Sequence, residues 1–236
     1  DGFWNDMNEP AIFYSEKHLK EVFEKMEDYK KMNLDVNTFF EMTGMIGGIC
    51  NNPEDYASFY HNYKGRRYRH DQVHNLFGYY MTRSASEAFE RYVPEKRILL
   101  FSRASYIGMH RFGGIWQGDN ASWWSHLKMN VKMMPSLNMC GFLYTGADVG
   151  GFGADATEDL VLRWLEFAVF TPLLRNHSAR GTRRQEVYRF SHVEKFADVI
   201  DVRYQVLPYI YSEYMKAALQ NTMMFNPLAF LYGEDA

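Results

Sequence analysis

The sequence predicts an α/β protein on a parallel sheet, and more narrowly a (β/α)8 (TIM) barrel of which this chain supplies about strands 4 to 8 with their helices. Three observations carry that expectation. Short apolar runs alternate with segments of helical period, the pattern of strand–helix–strand crossovers. No hairpin signal interrupts the alternation, so the strands read as parallel. Five predicted strands lead into Asp6, Arg103, Asp119, Asp148 and His177. In an open sheet, ligands gather at one switch point, whereas in a barrel every strand delivers a residue to one rim. Five polar strand ends fit the barrel, and five strands do not close eight.

The first element is Asp1-Gly2-Phe3-Trp4-Asn5-Asp6-Met7-Asn8-Glu9-Pro10, an aromatic lead-in to acids and amides closed by proline. An Asp-x-Asn-Glu turn alone is ordinary polar surface. Trp4 beside two acids adds a floor for a sugar ring. The stretch 11–72 is mixed and reads as an insertion over one end of the scaffold. Within it, Leu19, Val22, Phe23 and Met26 recur at helical spacing between Lys17 and Lys31, and Gly44 to Pro53 reads as loop. The basic run from Lys64 to His70 reads as a solvated loop.

From Val73 to Tyr92 an apolar helical face is stopped by Pro94, and Arg97 to Arg103 is a strand. Gly114-Ile115-Trp116 is the next strand, followed by a helix bearing Trp124, Leu127, Val131 and Met134. Cys140 to Tyr144 reads as a strand ending near Asp148. Thr157 caps a helix running to about Phe167, and Ala168 to Leu174 reads as a strand ending in Arg175-Asn176-His177. Ser191-His192-Val193-Glu194 has the form of a capping box before a last long helix. Trp123, Trp124 and the methionines 129, 133, 134 and 139 read as packing. Residues 1–224 thus read as barrel, and a final apolar piece, Phe225 to Leu231, follows.

Composition excludes some partners. Net charge is −3 with no basic stripe, so nucleic acid is not expected. No apolar run approaches the ~20 residues of a membrane span. Aromatic residues make up 17% of the chain, which favours a ring-shaped ligand such as a carbohydrate. Cys50 and Cys140 lack zinc spacing and read as free thiols, so a reducing, cytoplasmic setting is expected.

Two aspartates at strand ends, each near an indole (Trp4 with Asp6, Trp116 with Asp119), suit glycoside hydrolysis, which needs a carboxylate and a carboxylic acid flanking one bond. Asp6, Glu9, Asp148 and His177 around a divalent ion is the competing reading. It lacks a His-x-His pair and places Arg103 beside a cation. A sugar-binding scaffold without turnover is the third. Asp148 also reads as a turn aspartate, and Phe152 and His177 as core. His110 and Arg111 lie either on the leaving-group side or in a solvated loop.

Phe3-Trp4-Asn5-Asp6-Met7-Asn8-Glu9-Pro10 resembles the nucleophile signature of glycoside hydrolase family 31, the α-glucosidases and their relatives. The resemblance continues in order through Ser102-Arg103, Trp116-Gln117-Gly118-Asp119-Asn120, Gly146 to Phe152, Arg175-Asn176-His177, Arg203 to Tyr209, and Asn226-Pro227-Leu228. It implies a retaining exo-α-glycosidase, most simply an α-glucosidase, with Asp6 as nucleophile and Asp119 as acid and then base. The two carboxyls would lie about 5–5.5 Å apart. It further implies that Arg103 and His177 bind sugar hydroxyls and that Trp4, Met7, Trp116 and Phe152 line the pocket. Asp148 would be a sugar contact or a support, and Glu9 a local support. No metal or organic cofactor is implied. α-Xylosidases and transglucosylases share these signatures. Members of the family carry three more barrel strands before the nucleophile and β-domains after the barrel, so the resemblance implies that 225–236 is the end of the barrel and the start of a further β-domain; the chain begins with Asp. The expected partners are therefore an α-linked oligosaccharide and the N-terminal part of the same polypeptide, without which the fragment is expected to be inactive.

Overall fold

The computed structural model describes residues 2–11 and 13–234. In chain order it holds β1 (Gly2–Asn5), α1 (Glu16–Tyr29), α2 (Val36–Gly47), α3 (Pro53–Ser58), β2 (Tyr60–Tyr63) and β3 (Arg66–Arg69). Next come α4 (His70–Val73), α5 (Phe77–Tyr92), β4 (Leu99–Ser102), β5 (Gly114–Trp116), α6 (Trp124–Met139), β6 (Thr145–Gly146) and β7 (Asp148–Val149). The chain ends with α7 (Glu158–Ala168), β8 (Arg175–Asn176), α8 (Val193–Gln220) and α9 (Leu228–Leu231).

Strands β1, β4, β5 and β6 lie side by side in that order, and every pairing is parallel. Strand β7 pairs in parallel with β8, with Asp148 opposite Arg175. The Leu173 amide donates to the Thr145 carbonyl, so the two ladders are continuous through β6 and β7. Consecutive parallel strands put all their carboxyl ends on one edge, which gathers Asp6, Arg103, Asp119 and His177 there.

The sheet curls strongly. Between β1 and β8 lie four inter-strand steps, ~19 Å in a flat sheet. Yet the Arg175 guanidinium of β8 sits 4.0 Å from the ring centroid of Trp4 in β1. Two extended side chains do not span such a gap. The first and last strands have turned towards each other, as barrel strands do.

The main core lies between the end of this sheet and its two covering helices. Val149 of β7, Val161, Trp164 and Leu165 of α7, and Phe196 of α8 form one buried cluster. Arg203 of α8 ties the layers together by donating to the carbonyls of Val169, Thr171 and Pro172, which close the end of α7. A smaller cluster joins Met109 and Phe142 to Ile115 of β5.

Several elements differ from expectation for identifiable reasons. Lys64 to His70 is not a loop: β2 and β3 form an antiparallel hairpin, with Tyr60 opposite Arg69. Its two-residue turn puts Lys64 (φ 49°) and Gly65 (φ 75°) in the left-handed region, the geometry of a type I′ turn. Lys-Gly is a weaker signal for that turn than Asn-Gly. Helix α2 extends through Gly44 to Gly47, closed at its start by a reciprocal Asp35–Thr38 box. Asp55, buried, joins α3 to α1 by accepting from the Ser15 amide and hydroxyl and pairing with His18.

Cys140 to Tyr144 and Ala168 to Leu174 are not strands, and the ladders begin only at Thr145 and Arg175. In the first run, backbone groups are already engaged with the end of α6: Phe142 N–H donates to Leu137, and Asn138 Nδ2 to the Phe142 carbonyl. In the second, the amides of Val169, Phe170 and Thr171 bond back into α7. Asp148 is consequently inside a strand rather than beyond one. The Ser191–Glu194 box does not form. Glu158 of α7 instead accepts from the Ser191 and His192 amides at the start of α8. Trp123, Trp124, Met129 and Met139 are exposed, and Met134 alone among them is core.

Candidate active site

The loop after β1 is organised by three hydrogen-bonding side chains. The Met7 amide donates to Asp6 Oδ1 (2.8 Å), which orients the carboxylate, and Met7 itself has φ 55°. A left-handed non-glycine residue is costly and persists where its surroundings hold it. Asn8 does that holding. It is buried, its Nδ2 donates to Ser102 Oγ (2.8 Å), and its Oδ1 accepts from the Ala104 amide (3.0 Å). The loops after β1 and β4 are thereby pinned together, and Arg103 comes up beside Asp6.

Arg103 is the centre of the cluster. Its Nε and Nη2 donate to the two oxygens of Glu9 at 2.7 and 2.9 Å, a bidentate fork. Its remaining nitrogen, Nη1, lies 3.2 Å from Asp6 Oδ1 and 3.7 Å from Asp119 Oδ2. Two oxygens with those distances to one nitrogen are at most about 6.9 Å apart, the legs laid end to end. The fork holds the Glu9 carboxyl below its usual range, with burial opposing it. The same fork keeps the Arg103 guanidinium firmly charged. Asp6 and Asp119 are half exposed, at 51% and 49%, and so open to a ligand.

Asp119 rides on a loop fixed from both sides. The Gln117 amide donates to the Gly146 carbonyl (2.9 Å), and the Gln117 side chain to the Asn130 carbonyl (3.1 Å). The Asn120 carbonyl accepts the amides of Phe152 and Gly153 at 2.7 and 2.9 Å, bringing the Phe152 loop against the acid. Gly151 makes that approach possible. It has φ +85°, and a Cβ there would lie 2.7 Å from the backbone of Ser122. The Phe152 ring meets His177 at 5.3 Å between centroids, with His177 exposed at the rim.

The indoles stack beneath. Trp4 packs on Phe101 (4.7 Å) and Trp116 (4.5 Å). Trp116, expected in the lining, is only 4% exposed and lies under Trp4 instead of facing open space. Asp148 is likewise buried. Its Oδ1 accepts a hydrogen bond from Arg175 Nε (2.7 Å), and Arg175 Nη2 lies 2.5 Å from the same oxygen. Burial pushes its carboxyl above the usual range, with Arg175 pulling the other way.

The rim therefore unites Asp6, Met7, Glu9, Arg103 and Asp119, with Phe152 and His177 beside them. The metal-ligand set considered above does not assemble: Glu9 is taken up by Arg103 and Asp148 by Arg175. Among the described residues, no three acids, histidines or cysteines are arranged to hold an ion. His110 and Arg111 lie away from Asp119. His110 packs on Phe142 at the amino edge of the sheet, beside a cavity of about 850 Å³ that contains none of these acids.

Asn8, Arg175 and Gln185 were missed at the sequence level. Gln185 is buried and its Nε2 donates to the carbonyls of Val149, Gly151 and His177, tying the Phe152 loop to the His177 loop. Asn8 and Arg175 at least lay within quoted motifs. Gln185 sits in a charged loop and gave no signal.

Parallel strands whose carboxyl edge carries an open pair of carboxylates, with two indoles packed together nearby, have the architecture of an α/β barrel with its site at the strand ends. The chain belongs to glycosyl hydrolase family 31, its residues 1–213 matching the TIM-barrel domain of that family. It is 31% identical over 239 residues to alpha-glucosidase 2 of Bacillus thermoamyloliquefaciens, a match that covers 100% of this chain and 26% of that protein. The crystal structure of a family 31 alpha-glucosidase from Bacteroides thetaiotaomicron superposes with a TM-score of 0.67 at 29% identity, covering 94% of this chain and 30% of that one. A Flavobacterium johnsoniae family 31 dextranase complexed with glucose gives 0.73 at 25% identity, covering 99% and 25%. The chain thus spans about a quarter to a third of the length of these relatives.

Proposed function

We propose that the chain carries the reacting carboxylates of a retaining, exo-acting α-glycosidase that removes terminal α-linked glucose from oligosaccharides. The observation behind this is the single guanidinium nitrogen of Arg103 lying 3.2 Å from Asp6 and 3.7 Å from Asp119. The resulting ceiling of about 6.9 Å between those two oxygens accommodates the roughly 5–5.5 Å of a retaining pair. In this reading Asp6 attacks the anomeric carbon as Asp119 gives its proton to the departing glycosidic oxygen. The product is a sugar ester on Asp6 and a free aglycone hydroxyl. Asp119, now a carboxylate, takes a proton from water, whose oxygen displaces Asp6 and regenerates both groups. Arg103 and His177 bind hydroxyls, Trp4 is the floor, and Met7 and Phe152 are walls.

The named activities of the relatives support the α-glucosidase reading. A chain a quarter of their length supports a further one: these are strands 4 to 8, completed by the rest of a longer polypeptide. The free state of Cys50 and Cys140 fits a reducing, cytoplasmic setting. The decisive experiment treats the full-length polypeptide with 5-fluoro-α-D-glucosyl fluoride and maps the labelled peptide. An ester on Asp6 is expected, and a label on any other residue refutes the assignment. The 236 residues alone are expected to show no turnover; an active, folded monomer of that length would overturn the completion by further strands.

A further inference from the structure

Arg175 points into the barrel from β8, and each face of its guanidinium environment is occupied in an unusual way. Its Nε donates to one oxygen of Asp148, Oδ1, at 2.7 Å, and Nη2 pairs with that same oxygen across 2.5 Å. A guanidinium fork ordinarily takes both oxygens of a carboxylate. Here the second oxygen, Oδ2, is buried and has no hydrogen-bond partner, on a side chain 1% exposed. The flat of the guanidinium meanwhile covers the Trp4 indole at 4.0 Å and lies 5.7 Å from Trp116. Arginine suits this double task, since a planar cation stacks on an aromatic face while its edge donates.

We propose that Arg175 is a positioning residue for the glycosidase reaction. It holds the Asp148 carboxylate by one oxygen and leaves the other as a buried, unpaired acceptor, and it clamps the Trp4 indole against Phe101 and Trp116 beside the sugar site. The inference rests on the reading under Proposed function. Besides Arg175, the charged groups acting on Asp148 are His177, which favours its carboxylate form, and Asp119, which opposes it. With Arg175 removed, burial and Asp119 both act against the Asp148 carboxylate, and His177 offsets them in part.

The test uses the full-length polypeptide with Arg175→Gln, Arg175→Lys, Asp148→Asn and the Gln/Asn double variant. Activity on 4-nitrophenyl α-D-glucopyranoside is followed across pH, and thermal melts check folding. In Arg175→Gln, kcat/KM should fall by about tenfold to a hundredfold. Its acidic limb should move up by about one to three pH units, the shift an opposite charge at this range exerts on a carboxyl. Arg175→Lys should restore the limb but not KM, because an ammonium neither forks nor stacks. On the Asp148→Asn background, Arg175→Gln should cost much less than alone. An unmoved acidic limb, a parental KM in the lysine variant, or equal loss on both backgrounds overturns the proposal.

A second readout needs no substrate. Tryptophan fluorescence of resting Arg175→Gln should titrate over the pH span of its acidic limb, and Asp148→Asn should abolish that titration; a flat trace overturns the proposal. Absence of parental turnover on α-glucosides would sink the glycosidase reading, while the fluorescence titration would still judge Arg175.

Discussion

Glu9→Gln isolates the contribution of the arginine that stands between the two carboxylates. Glu9 takes both arms of Arg103 at 2.7 and 2.9 Å, with side chains 32% and 21% exposed. Glutamine keeps one acceptor oxygen and turns an amide nitrogen towards the guanidinium, so one charge-assisted bond is lost. Such bonds contribute about 1.5–3 kcal/mol, and partial exposure argues for the lower part, about 1.5–2 kcal/mol. If that energy serves to hold Arg103 in its reactive position, kcat/KM falls by about ten- to thirtyfold. The released arginine also has somewhere to go, since Asp6 and Asp119 lie 3.2 and 3.7 Å from its free nitrogen. Stability carries its own sign. The Arg103 fork depresses the Glu9 carboxyl in the folded state. Its stabilisation is therefore present above the unfolded value, about pH 4, and is lost as pH falls through the folded one. The gap between parent and variant in urea unfolding should close on acidification. A folded variant with kcat/KM within twofold of the parent, or a stability gap that does not close on acidification, would refute the reasoning.

Asp119→Ala should spare substrates with good leaving groups, such as 4-nitrophenyl α-glucoside, far more than maltose, because the former need little protonation; equal losses would count against Asp119 as the acid. Gln185→Ala removes the donor shared by three carbonyls, two of which flank the Phe152 turn. It should destabilise by about 1–3 kcal/mol in chemical denaturation and raise KM, and a neutral melt would show the tie to be dispensable. Asp55→Ala breaks the junction of α1 and α3 and should cost about 2–4 kcal/mol. Burial would raise that carboxyl, but the bonds from Ser15, His18 and Asn52 outweigh it and leave it lowered. The penalty should hold at neutral pH and shrink as pH falls below the ordinary aspartate range. A penalty independent of pH would argue for packing instead.

Much of this was legible along the chain because the information is local. The alternation of apolar runs and helical faces, the Thr157 cap, Gly114–Trp116 as a strand and the strand ends at Asp6 and Arg103 all depend on neighbours within a few residues. The misplaced strands share one cause. A short apolar run is equally good as ladder or as helix-end packing, and only the bonds back to Leu137 and Leu165 decide which. The hairpin was hidden because Lys-Gly is a poor advertisement for a type I′ turn.

The sequence by itself determined the inventory: a family 31 barrel segment, its rim acids, and the order in which they arrive. Tertiary structure alone decided their partnerships. Glu9 and Arg103 are 94 positions apart and meet as a fork, and Arg175 crosses the curled sheet to cover Trp4. Trp116 and Asp148 turn inward instead of to the rim. A strand's side-chain chemistry is written in its own residues, but the face it presents and the charge it meets depend on how strands distant in sequence curl together. The place of β4 between β1 and β5 brings a single guanidinium within 3.7 Å of both carboxylates.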